Sequence, residues 1–423
     1  MATANVVSTL SGLFKEVYAD ALMSLVPKAA RLQKDAPFVT RDKREGNIYH
    51  QPVRLTRAHG WTLNTGGDAF PLNPPEPART QDAQIQGSSF VLREVISYTA
   101  AAKLLSGSGS GEKKRAFVSG TSYMVENMTE TAAFILELQL LYGQSAIGTL
   151  SAYVSGTGTT SQVFTFTKGT FIPAMWSGLE NGYVEIYNGA TKLADAQVTV
   201  VDVENRNVTF LGVAADLDAV HTAIASALTV YLRDTKSAGM VGLRSIVANT
   251  GSLFNVDAAV YSLWAGNTYS AASGSLTFAA ILRALNKPVN RGLMSDACFY
   301  ISPKSWTDCN NDLAALRRYA DKAGGKIEQG AESIMYYGQS GSVELVPHIF
   351  VKPSEAMGIP KGKMNRLGAS ELTFSPPGME DGSFFENLPD HAGYGTRCFW
   401  NQALFVPCPN QCVLISNIVN SDD

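Results

Sequence analysis

The longest periodic pattern in the chain covers residues 112–142 and contains no proline. Apolar and threonine side chains recur there at three- and four-residue steps, which places them on one stripe of an α-helix. The stripe consists of Phe117, Thr121, Met124, Met128, Thr131, Ile135, Leu138 and Tyr142. Glu126, Glu130 and Glu137 lie off it, where we expect water or a neighbouring subunit to meet them. At the helical rise the segment spans about 45 Å, so it predicts a strut that ends before Gly143.

The sequence before this helix predicts a basic helical arm. Residues 5–34 form an amphipathic pattern that Pro27 kinks or interrupts. Its apolar side consists of Leu10, Leu13, Phe14, Val17, Ala21, Leu22 and Leu25. Residues 28–57 hold eight basic and three acidic side chains, a local excess of five positive charges. Either this segment is a solvated arm, or it contacts acidic neighbours or nucleic acid.

Two extended stretches, residues 48–64 and 81–105, predict a long hairpin. The residues between them, 65–78, are too rich in glycine and proline for regular structure. Charged side chains such as Arg54 and Arg93 interrupt the alternation of the strands. Because such a hairpin lacks an apolar face of its own, it needs another surface to lie on. We therefore expect it to reach another subunit.

Residues 150–235 predict a self-contained β-rich insertion. Its short β-type runs are separated by turn signals, such as Asn188-Gly189. The runs cover 163–167, 183–187, 196–203, 207–211 and 228–232, with a helix over 214–227.

Beyond residue 236, helices and strands mix without a regular βαβ rhythm, which indicates an α+β fold. The expected helices cover 276–285, before Lys287-Pro288, and 304 to near 321. The expected strands cover 297–302, 333–337, 343–346, 348–351 and two apolar segments within 397–416.

Composition narrows the class of protein. The 423 residues include 34 basic and 37 acidic side chains, a net charge of −3, so there is no global basic excess for wrapping nucleic acid. No apolar run approaches the about 20 residues that span a bilayer, and the first residues lack a signal-peptide pattern. Five cysteines in such a chain predict reduced, unpaired thiols. We expect a protein made in the cytosol, with no membrane partner.

We predict no catalytic, cofactor-binding or metal-binding residues, and no cofactor. The glycine run 107–111 lacks the Gly-Lys-Ser/Thr ending of a phosphate-binding loop and indicates a hinge. Residues 338–342 lack the last glycine of a nucleophile elbow and indicate a surface turn. The pair Cys408–Cys412 would bind zinc only if Cys398 and His391 came near it by tertiary coincidence. Buried apolar thiols are the favoured alternative.

The serial order of these parts resembles the major capsid protein of tailed double-stranded DNA phages, the Hong Kong 97-type shell fold. Residues 52–75 are similar to the outgoing strand and tip of that family's extended loop, and residues 112–142 to its spine helix. The segments 242–267 and 300–306 resemble parts of its axial domain, and 397–416 resembles the closing strands of its peripheral domain. The resemblance covers most of the chain except the insertion.

The resemblance implies a division of the chain and a function. The division is an N-terminal arm over 1–46, an extended loop hairpin over 47–106, the spine helix of the peripheral domain over 107–149, the β-rich insertion domain over 150–235, the axial domain with the peripheral-domain entry over 236–380, and the closing strands of the peripheral domain over 381–423. The implied function is a structural, non-enzymatic coat protein that assembles as pentamers and hexamers into an icosahedral head. Implied partners are portal and scaffolding proteins, packaged double-stranded DNA contacted non-specifically, and, as a further candidate, a decoration protein. The implied location is the virion capsid, assembled in the host bacterial cytoplasm.

Two alternatives remain at this stage. An encapsulin-type nanocompartment has the same shell fold but encloses enzymes, and the insertion and chain length favour the phage protein over it. A cofactor-free α+β enzyme needs a site that the sequence does not show. Some members of the phage family join subunits through a lysine of the extended loop and an asparagine elsewhere. Here no lysine occurs between Lys43 and Lys103, so we predict a non-covalent shell.

Overall fold

The computed structural model of the chain describes residues 30–39, 48–67, 69–97, 111–312, 334–374, 386–387 and 393–421. These residues form a closed barrel and two larger sheets beside a long helix, which confirms the α+β class. One apolar core runs from the barrel into the larger sheets, and a second core lies against the six-stranded sheet. No helix within the described ranges is long and apolar enough to cross a membrane.

The arm segment (residues 30–39) and the hairpin come first. Their elements are α1 (Arg31–Asp35), β1 (Phe38–Val39), β2 (Ile48–Arg54), β3 (Thr80–Gln86) and β4 (Ser88–Ser97). β2 and β3 pair antiparallel over their full lengths. The predicted returning strand is interrupted at Gly87, where a Cβ would overlap the Asn401 side chain. Its second part, β4, pairs with residues 393–402 instead of β2. Most of the predicted arm helix, residues 5–29, lies outside the described residues.

The predicted strut is confirmed as α2 (Gly111–Leu141). It ends because Gly143 adopts a φ of +52°, and a Cβ there would collide with the Met240 carbonyl oxygen. Its last turns are buried on every side. The expectation that Glu137 meets water or a neighbouring subunit is therefore wrong, since Glu137 is 0 % exposed, whereas Glu126 is exposed.

The segment predicted as a β-rich insertion contains a closed six-stranded barrel. Its elements are β5 (Gly148–Ser155), β6 (Ser161–Phe166), α3 (Pro173–Trp176), β7 (Tyr183–Asn188), β8 (Thr191–Asp202), β9 (Asn207–Gly212), α4 (Ala214–Thr222) and β10 (Thr229–Leu232). The strand order is β10-β5-β6-β9-β8-β7, and closure removes the unpaired edges of the sheet. Alternate residues such as Phe164 and Phe166 fill the interior. The helix predicted over 214–227 stops at Thr222, because a 3-10 turn follows and Ala227 takes a left-handed φ of +53°.

The rest of the described chain completes the five-stranded and six-stranded sheets and adds a short two-stranded sheet, in which β11 pairs with β12. Its helices are α5 (Thr235–Ala238), α6 (Leu243–Val247), α7 (Phe278–Asn290) and α8 (Pro303–Asn311). Its strands are β11 (Ser252–Leu253), β12 (Val256–Asp257), β13 (Thr268–Ser270), β14 (Ala297–Ile301), β15 (Ile334–Tyr337), β16 (Ser342–Pro347), β17 (Ala356–Pro360), β18 (Asn365–Thr373), β19 (Glu386–Asn387), β20 (Gly393–Phe405) and β21 (Val413–Ser416). The six-stranded sheet has the order β13-β21-β17-β14-β16-β15. In the five-stranded sheet, β18, β19 and β4 all pair with β20, and β1 lies at the edge beside β18.

Two predicted helices end elsewhere. α7 continues to Asn290, because Pro288 lies in its last turn and its missing N–H removes a single helical hydrogen bond. α8 ends at Asn311, because Asp312 takes an extended backbone conformation, and the rest of the helix predicted to near 321 lies outside the described residues. The Asp312 carboxylate also accepts the Phe278 N–H at 3.0 Å, which ties the end of α8 to the start of α7.

The strands after residue 347 also differ from prediction. Residues 348–351 form a turn, in which the Val351 N–H donates to the His348 carbonyl oxygen at 3.2 Å. The sequence analysis did not predict β17 and β18. β17 contains Gly358, whose missing side chain leaves room for the Phe299 ring on the neighbouring strand. The two apolar segments of 397–416 are strands, but β20 and β21 belong to different sheets.

Candidate assembly surfaces

A carboxylate from α2 holds the arm segment at the start of α1. Glu137 Oε1 accepts the Leu32 N–H at 2.7 Å, and Oε2 accepts the Gln33 N–H at 3.3 Å. The Gln33 side-chain amide donates to the Ala133 carbonyl oxygen at 2.7 Å. The first N–H groups of a helix have no partner within it, so the carboxylate satisfies them and meets the positive end of the helix.

His348 fixes the same carboxylate from another side. Its Nε2 lies 2.8 Å from Glu137 Oε1, and its Nδ1 lies 3.1 Å from the backbone nitrogen of Phe350. Because a backbone N–H can only donate, Nδ1 accepts, which assigns the ring proton to Nε2. Glu137 therefore receives three N–H groups, and this number of donors allows a carboxylate to be wholly buried.

Arg366 and Tyr300 hold the other end of the arm segment. Arg366 Nε donates to the Ala36 carbonyl oxygen at 2.7 Å, and its backbone N–H donates to that of Pro37 at 2.9 Å. The Tyr300 hydroxyl donates to Asp35 Oδ2 at 2.6 Å, and burial raises the pKa of Tyr300, so the hydroxyl keeps its proton. These contacts and the pairing of β1 with β18 build the arm segment into the fold.

A second buried charge lies where the barrel meets the sheets. Lys352 Nζ donates to the Ala146 carbonyl oxygen at 2.7 Å and lies 4.7 Å from the centroid of the Tyr142 ring. Burial lowers the pKa of Lys352 to about 8, an effect that Glu355 opposes and Arg244 reinforces. Arg244 donates two hydrogen bonds to the Glu355 carboxylate, from Nε to Oε2 at 2.8 Å and from Nη2 to Oε1 at 2.7 Å. This cluster joins the entry of the barrel to the turns after β16.

The far end of the hairpin presents apolar side chains to solvent. In the hairpin tip (residues 55–67 and 69–79), Trp61 is 64 %, Leu63 83 % and Leu72 78 % exposed. Local bonds order the backbone, and the Asn73 side-chain amide donates to the Trp61 carbonyl oxygen at 3.1 Å. A group of exposed apolar side chains that includes a tryptophan is typical of an interaction surface.

A groove of about 940 Å³ lies at the base of the hairpin, between α2, β4 and the barrel. Its wall includes the stacked rings of Phe90 and Trp400, with centroids 5.1 Å apart. Two buried polar atoms of lining residues, Trp400 Nε1 and Gln139 Oε1, have no hydrogen-bond partner among the described residues. Both atoms are buried, so a ligand in the groove would reach them only after the side chains moved.

The cysteines form no metal site within the described residues. The Cys412 thiol donates to the Cys408 carbonyl oxygen at 3.5 Å, and burial raises the pKa of Cys408 to about 11 and that of Cys412 well above its ordinary value. Thiols that keep their protons are poor ligands. Cys398 lies in a separate apolar cluster, and His391 is outside the described residues. No group of metal-binding side chains occurs in the described ranges.

The glycine-containing segments 338–342 and 107–111 were predicted to be a surface turn and a hinge. Residues 338–342 form the turn between β15 and β16, where the Gly338 N–H donates to the Gly341 carbonyl oxygen at 2.8 Å. The predicted surface turn is confirmed. The hinge predicted at 107–111 lies outside the described residues, apart from Gly111, which begins α2.

The sequence analysis missed Glu137 and His348. A signal for Glu137 was present, because residues 136–141 read Leu-Glu-Leu-Gln-Leu-Leu, and a helix end that is apolar on nearly every side is typically buried. His348 gave no such signal, because its partner lies in a distant part of the chain.

Solved capsid structures share this architecture over nearly the whole chain. The capsid of the native GTA particle, computed with C5 symmetry, matches 98 % of this chain and 100 % of its own, with a TM-score of 0.50 and 10 % identity. The cyanophage A-1(L) capsid matches 98 % and 100 %, with a TM-score of 0.51 and 10 % identity. The chain has the Hong Kong 97-type shell fold. No protein-family model matches the sequence, and no curated protein matches it.

In this Hong Kong 97-type fold, the arm segment is packed within the chain, whereas the hairpin tip and the groove are open to solvent. The arm segment is satisfied within the chain, by Glu137, Tyr300 and Arg366. The hairpin tip instead exposes apolar side chains to solvent, and the groove exposes Val91 and Tyr183. The tip and the groove are therefore the candidate assembly surfaces.

Proposed function

We propose that the chain is a structural major capsid protein, the repeating subunit of an icosahedral head around phage double-stranded DNA. The hairpin tip is the observation that supports this most, because Trp61, Leu63 and Leu72 project from it into solvent. Exposed apolar groups of this size favour association with another molecule. A tip that contacts a different surface of the next copy gives a heterologous contact, which closes into a ring when the rotation matches. Pentamers and hexamers are such rings.

The chemistry of the interior also favours a structural role. The buried ionisable groups serve as fixed contacts: Glu137 binds N–H groups of the arm, and Glu355 binds Arg244. Lys352 binds the backbone at the entry of the barrel. Each of these groups joins two parts of the fold, which is the expected use of charge in a subunit that must hold its shape inside a shell.

The proposal assigns parts and partners. We assign the five-stranded sheet with α2 to the peripheral domain and the six-stranded sheet to the axial domain, and β21 goes with the axial domain. Residues 150–235 are the inserted domain, and residues 1–46 are the arm, whose basic positions at 41–44 would face packaged DNA without sequence specificity. Portal, scaffolding and decoration proteins are the further partners. The protein would assemble in the host cytoplasm and reside in the virion capsid.

Negative-stain electron microscopy of the purified chain, after size-exclusion chromatography, tests the proposal. We expect shells, tubes, or rings with five or six members. The matched control is the double variant Trp61→Ala, Leu72→Ala, which changes two exposed side chains and should leave mainly small species. A wild-type chain that stays monomeric up to its solubility limit, also when it is produced together with its scaffolding protein, would contradict the proposed function.

A further inference from the structure

We propose that an uncharged outer wall of the barrel binds the same wall of a second copy across a two-fold axis. This neutral wall lies on β5, β6, β9 and the second half of β8, and consists of residues 151–155, 161–165, 197–201 and 207–211. The inference rests on the proposed function, because a particle brings many copies of the chain close together. The contact belongs to the inserted barrel, the part of the chain outside the resemblance to the shell family.

The neutral wall carries no charge. None of the residues in its four ranges is an aspartate, glutamate, lysine, arginine or histidine. The other side of the barrel, on β7 and the first half of β8, holds an ionic cluster, in which Lys192 Nζ lies 2.7 Å from Glu185 Oε1 and 2.6 Å from Asp195 Oδ1. The centres of protein interfaces are depleted in charged residues, so the uncharged side is the one suited to a contact.

Apolar and threonine side chains cover the neutral wall. Strand pairing places Val200 opposite Thr209, and Thr209 opposite Val163, in a row across β8, β9 and β6. Val154 is exposed on the next strand, and Leu211 is exposed on β9. Valine and threonine are already restricted in χ1, so they lose little rotamer freedom when they enter a contact.

Part of the neutral wall lies at the end of the barrel that is far from the rest of the subunit. The barrel is attached at its base, where Lys352 donates to the Ala146 carbonyl oxygen and the Ser354 N–H donates to the Gly169 carbonyl oxygen. β5 leaves this base, and its eight residues extend about 25 Å. Val154, near the end of β5, is therefore held away from the base, where another molecule can reach it.

The absence of charge favours a second copy over a different protein. In a two-fold contact, a residue near the axis faces its own counterpart, so a charged residue there would meet a like charge. A contact with a different protein has no such restriction and can use opposite charges. The barrel is closed, so the two copies meet through side chains and not by adding a strand to a free edge.

The area of the neutral wall favours a second copy in the same particle. Four strands about 4.8 Å apart, each about six residues long, cover at most roughly 400 Å² per copy. A stable complex of two separate proteins buries about 1,200–2,000 Å² in total, so this wall alone is too small to hold a partner taken from solution. Copies that one particle already holds together have a high effective concentration, and a weak contact between them is then sufficient.

Disulfide trapping with single cysteines tests the two-fold contact in assembled particles. Thr209→Cys and Leu211→Cys each place one thiol in the middle of the neutral wall. The matched control is Thr191→Cys, because Thr191 is exposed beside the turn between β7 and β8, on the charged side of the barrel. The native cysteines are buried or half-buried, so background crosslinking is low. Oxidised glutathione is the oxidant, and the products are separated on a non-reducing denaturing gel.

We expect at least one wall variant to give dimers and nothing larger, because a residue near a two-fold axis meets only its counterpart. The control should stay mainly monomeric. As much dimer from the control as from the wall variants would overturn the inference, and so would a crosslink from the wall to a different protein of the particle.

Charge substitutions at Leu211 decide the case in which no disulfide forms. Leu211→Lys and Leu211→Glu each bring like charges together at the contact, and Leu211→Gln is the uncharged control. We expect each charged chain alone to need at least about a 2-fold higher protein concentration than the control to form particles. An equal mixture of the two charged chains should need less than either alone, because lysine then meets glutamate.

Particles whose wall cysteines both stay monomeric, and whose mixture shows no such recovery, would overturn this inference and leave the proposed function standing. A wild-type chain that forms no particle, also together with its scaffolding protein, would remove the proposed function and this contact together.

Discussion

Glu137 and His348 are 211 positions apart in the chain, yet Glu137 Oε1 lies 2.8 Å from His348 Nε2 and both side chains are almost wholly buried. The same carboxylate accepts the first N–H groups of the arm segment. Three distant parts of the chain therefore meet at one charged group. Because a buried carboxylate is stable only when its oxygens are satisfied, each part depends on the other two.

Removing the charge of this carboxylate should loosen the arm. In Glu137→Gln, one oxygen still accepts, but the new NH₂ group faces the Gln33 N–H, so a donor meets a donor. We expect a loss of about 2 kcal/mol in the free energy of unfolding, the cost of leaving a buried polar group unsatisfied. Trypsin should also cut faster at Arg31 and Lys34, and mass spectrometry of the fragments measures this.

Glu126→Gln is the matched control for this variant, because Glu126 is exposed on the same helix. A surface change of this kind is expected to stay within about 0.5 kcal/mol of the wild type. If Glu137→Gln and Glu126→Gln give the same unfolding curves and the same tryptic rates, the carboxylate does not anchor the arm.

The sequence predicted what depends on local pattern. α2 and five of the six barrel strands follow from periodicity and turn residues, whereas β5 was not predicted. Gly143 ends α2 as expected because its φ of +52° suits glycine. The burial of Glu137 could not be predicted from the sequence pattern. Whether a charged residue at the end of an apolar helix faces solvent is decided by packing partners, here Leu32 and His348, which lie far away in the sequence.

The strand predictions show the same division. β20 and β21 were predicted as strands from their apolar runs, but their membership in two different sheets is set by long-range pairing with β18 and β17. β17 was missed because a five-residue apolar run with a central glycine, Gly358, is a weak local signal. The groove could not be predicted either, since its walls come from three elements that meet only in the folded chain.

Lys352 should give the stability of the subunit a characteristic dependence on pH. Its folded-state pKa of about 8 lies below the ordinary value of 10.5, so between these values the unfolded chain holds a proton that the folded chain has released. Unfolding then takes up a proton, and the free energy of unfolding rises with pH by up to about 1.4 kcal/mol per pH unit. Buried thiols such as Cys408, with a raised pKa of about 11, act in the opposite direction above their ordinary value of 9.

The interval from pH 8 to pH 9 therefore isolates the lysine. Lys352→Met keeps the apolar stem and removes the titrating amine. We expect the wild type to gain about 1 kcal/mol relative to Lys352→Met between pH 8 and pH 9. Denaturant titrations of the unassembled subunit measure it. Parallel pH profiles for the two proteins would show that this amine does not titrate in the window.

Truncating the tip should weaken assembly without weakening the fold. Trp61 and Leu72 are exposed in the subunit, so Trp61→Ala and Leu72→Ala should leave the thermal unfolding midpoint nearly unchanged. A buried tryptophan at an interface typically contributes at least about 2 kcal/mol, or roughly a 30-fold change in association constant per contact. Light scattering against protein concentration measures the threshold for assembly. Val260→Ala, an exposed change away from the tip and the groove, should assemble like the wild type.

Any particle that the chain forms should separate completely into monomers in hot detergent. The hairpin tip contains no lysine. It therefore lacks the amine that forms a covalent bond between subunits in some members of the family that this chain resembles. Purified particles boiled in sodium dodecyl sulfate with a reducing agent should therefore run as one monomer band. A ladder of multimers that survives this treatment would show that subunits are joined by a covalent bond that does not use a lysine of the tip.

The barrel should fold when it is cut out of the chain. Its entry and exit lie side by side, because Gly143 pairs antiparallel with Val241 and the Gln144 N–H donates to the Met240 carbonyl oxygen at 3.1 Å. It also has its own wholly buried aromatic side chains, among them Phe164 and Phe210. A fragment of residues 144–240 needs no distant chain to close its sheet, and we expect it to unfold cooperatively with the circular dichroism of β-structure.

The complementary deletion tells what the barrel does for assembly. Replacing residues 145–239 by two glycines joins ends that are already adjacent, so the two larger sheets should still form, although Lys352 loses its contact with the Ala146 carbonyl oxygen. The deletion also removes the barrel wall of the groove, including Tyr183. If the barrel takes part in contacts between subunits, the deleted chain should fold but require a higher protein concentration to form particles. Assembly at the wild-type threshold would mean that the rest of the chain suffices for those contacts.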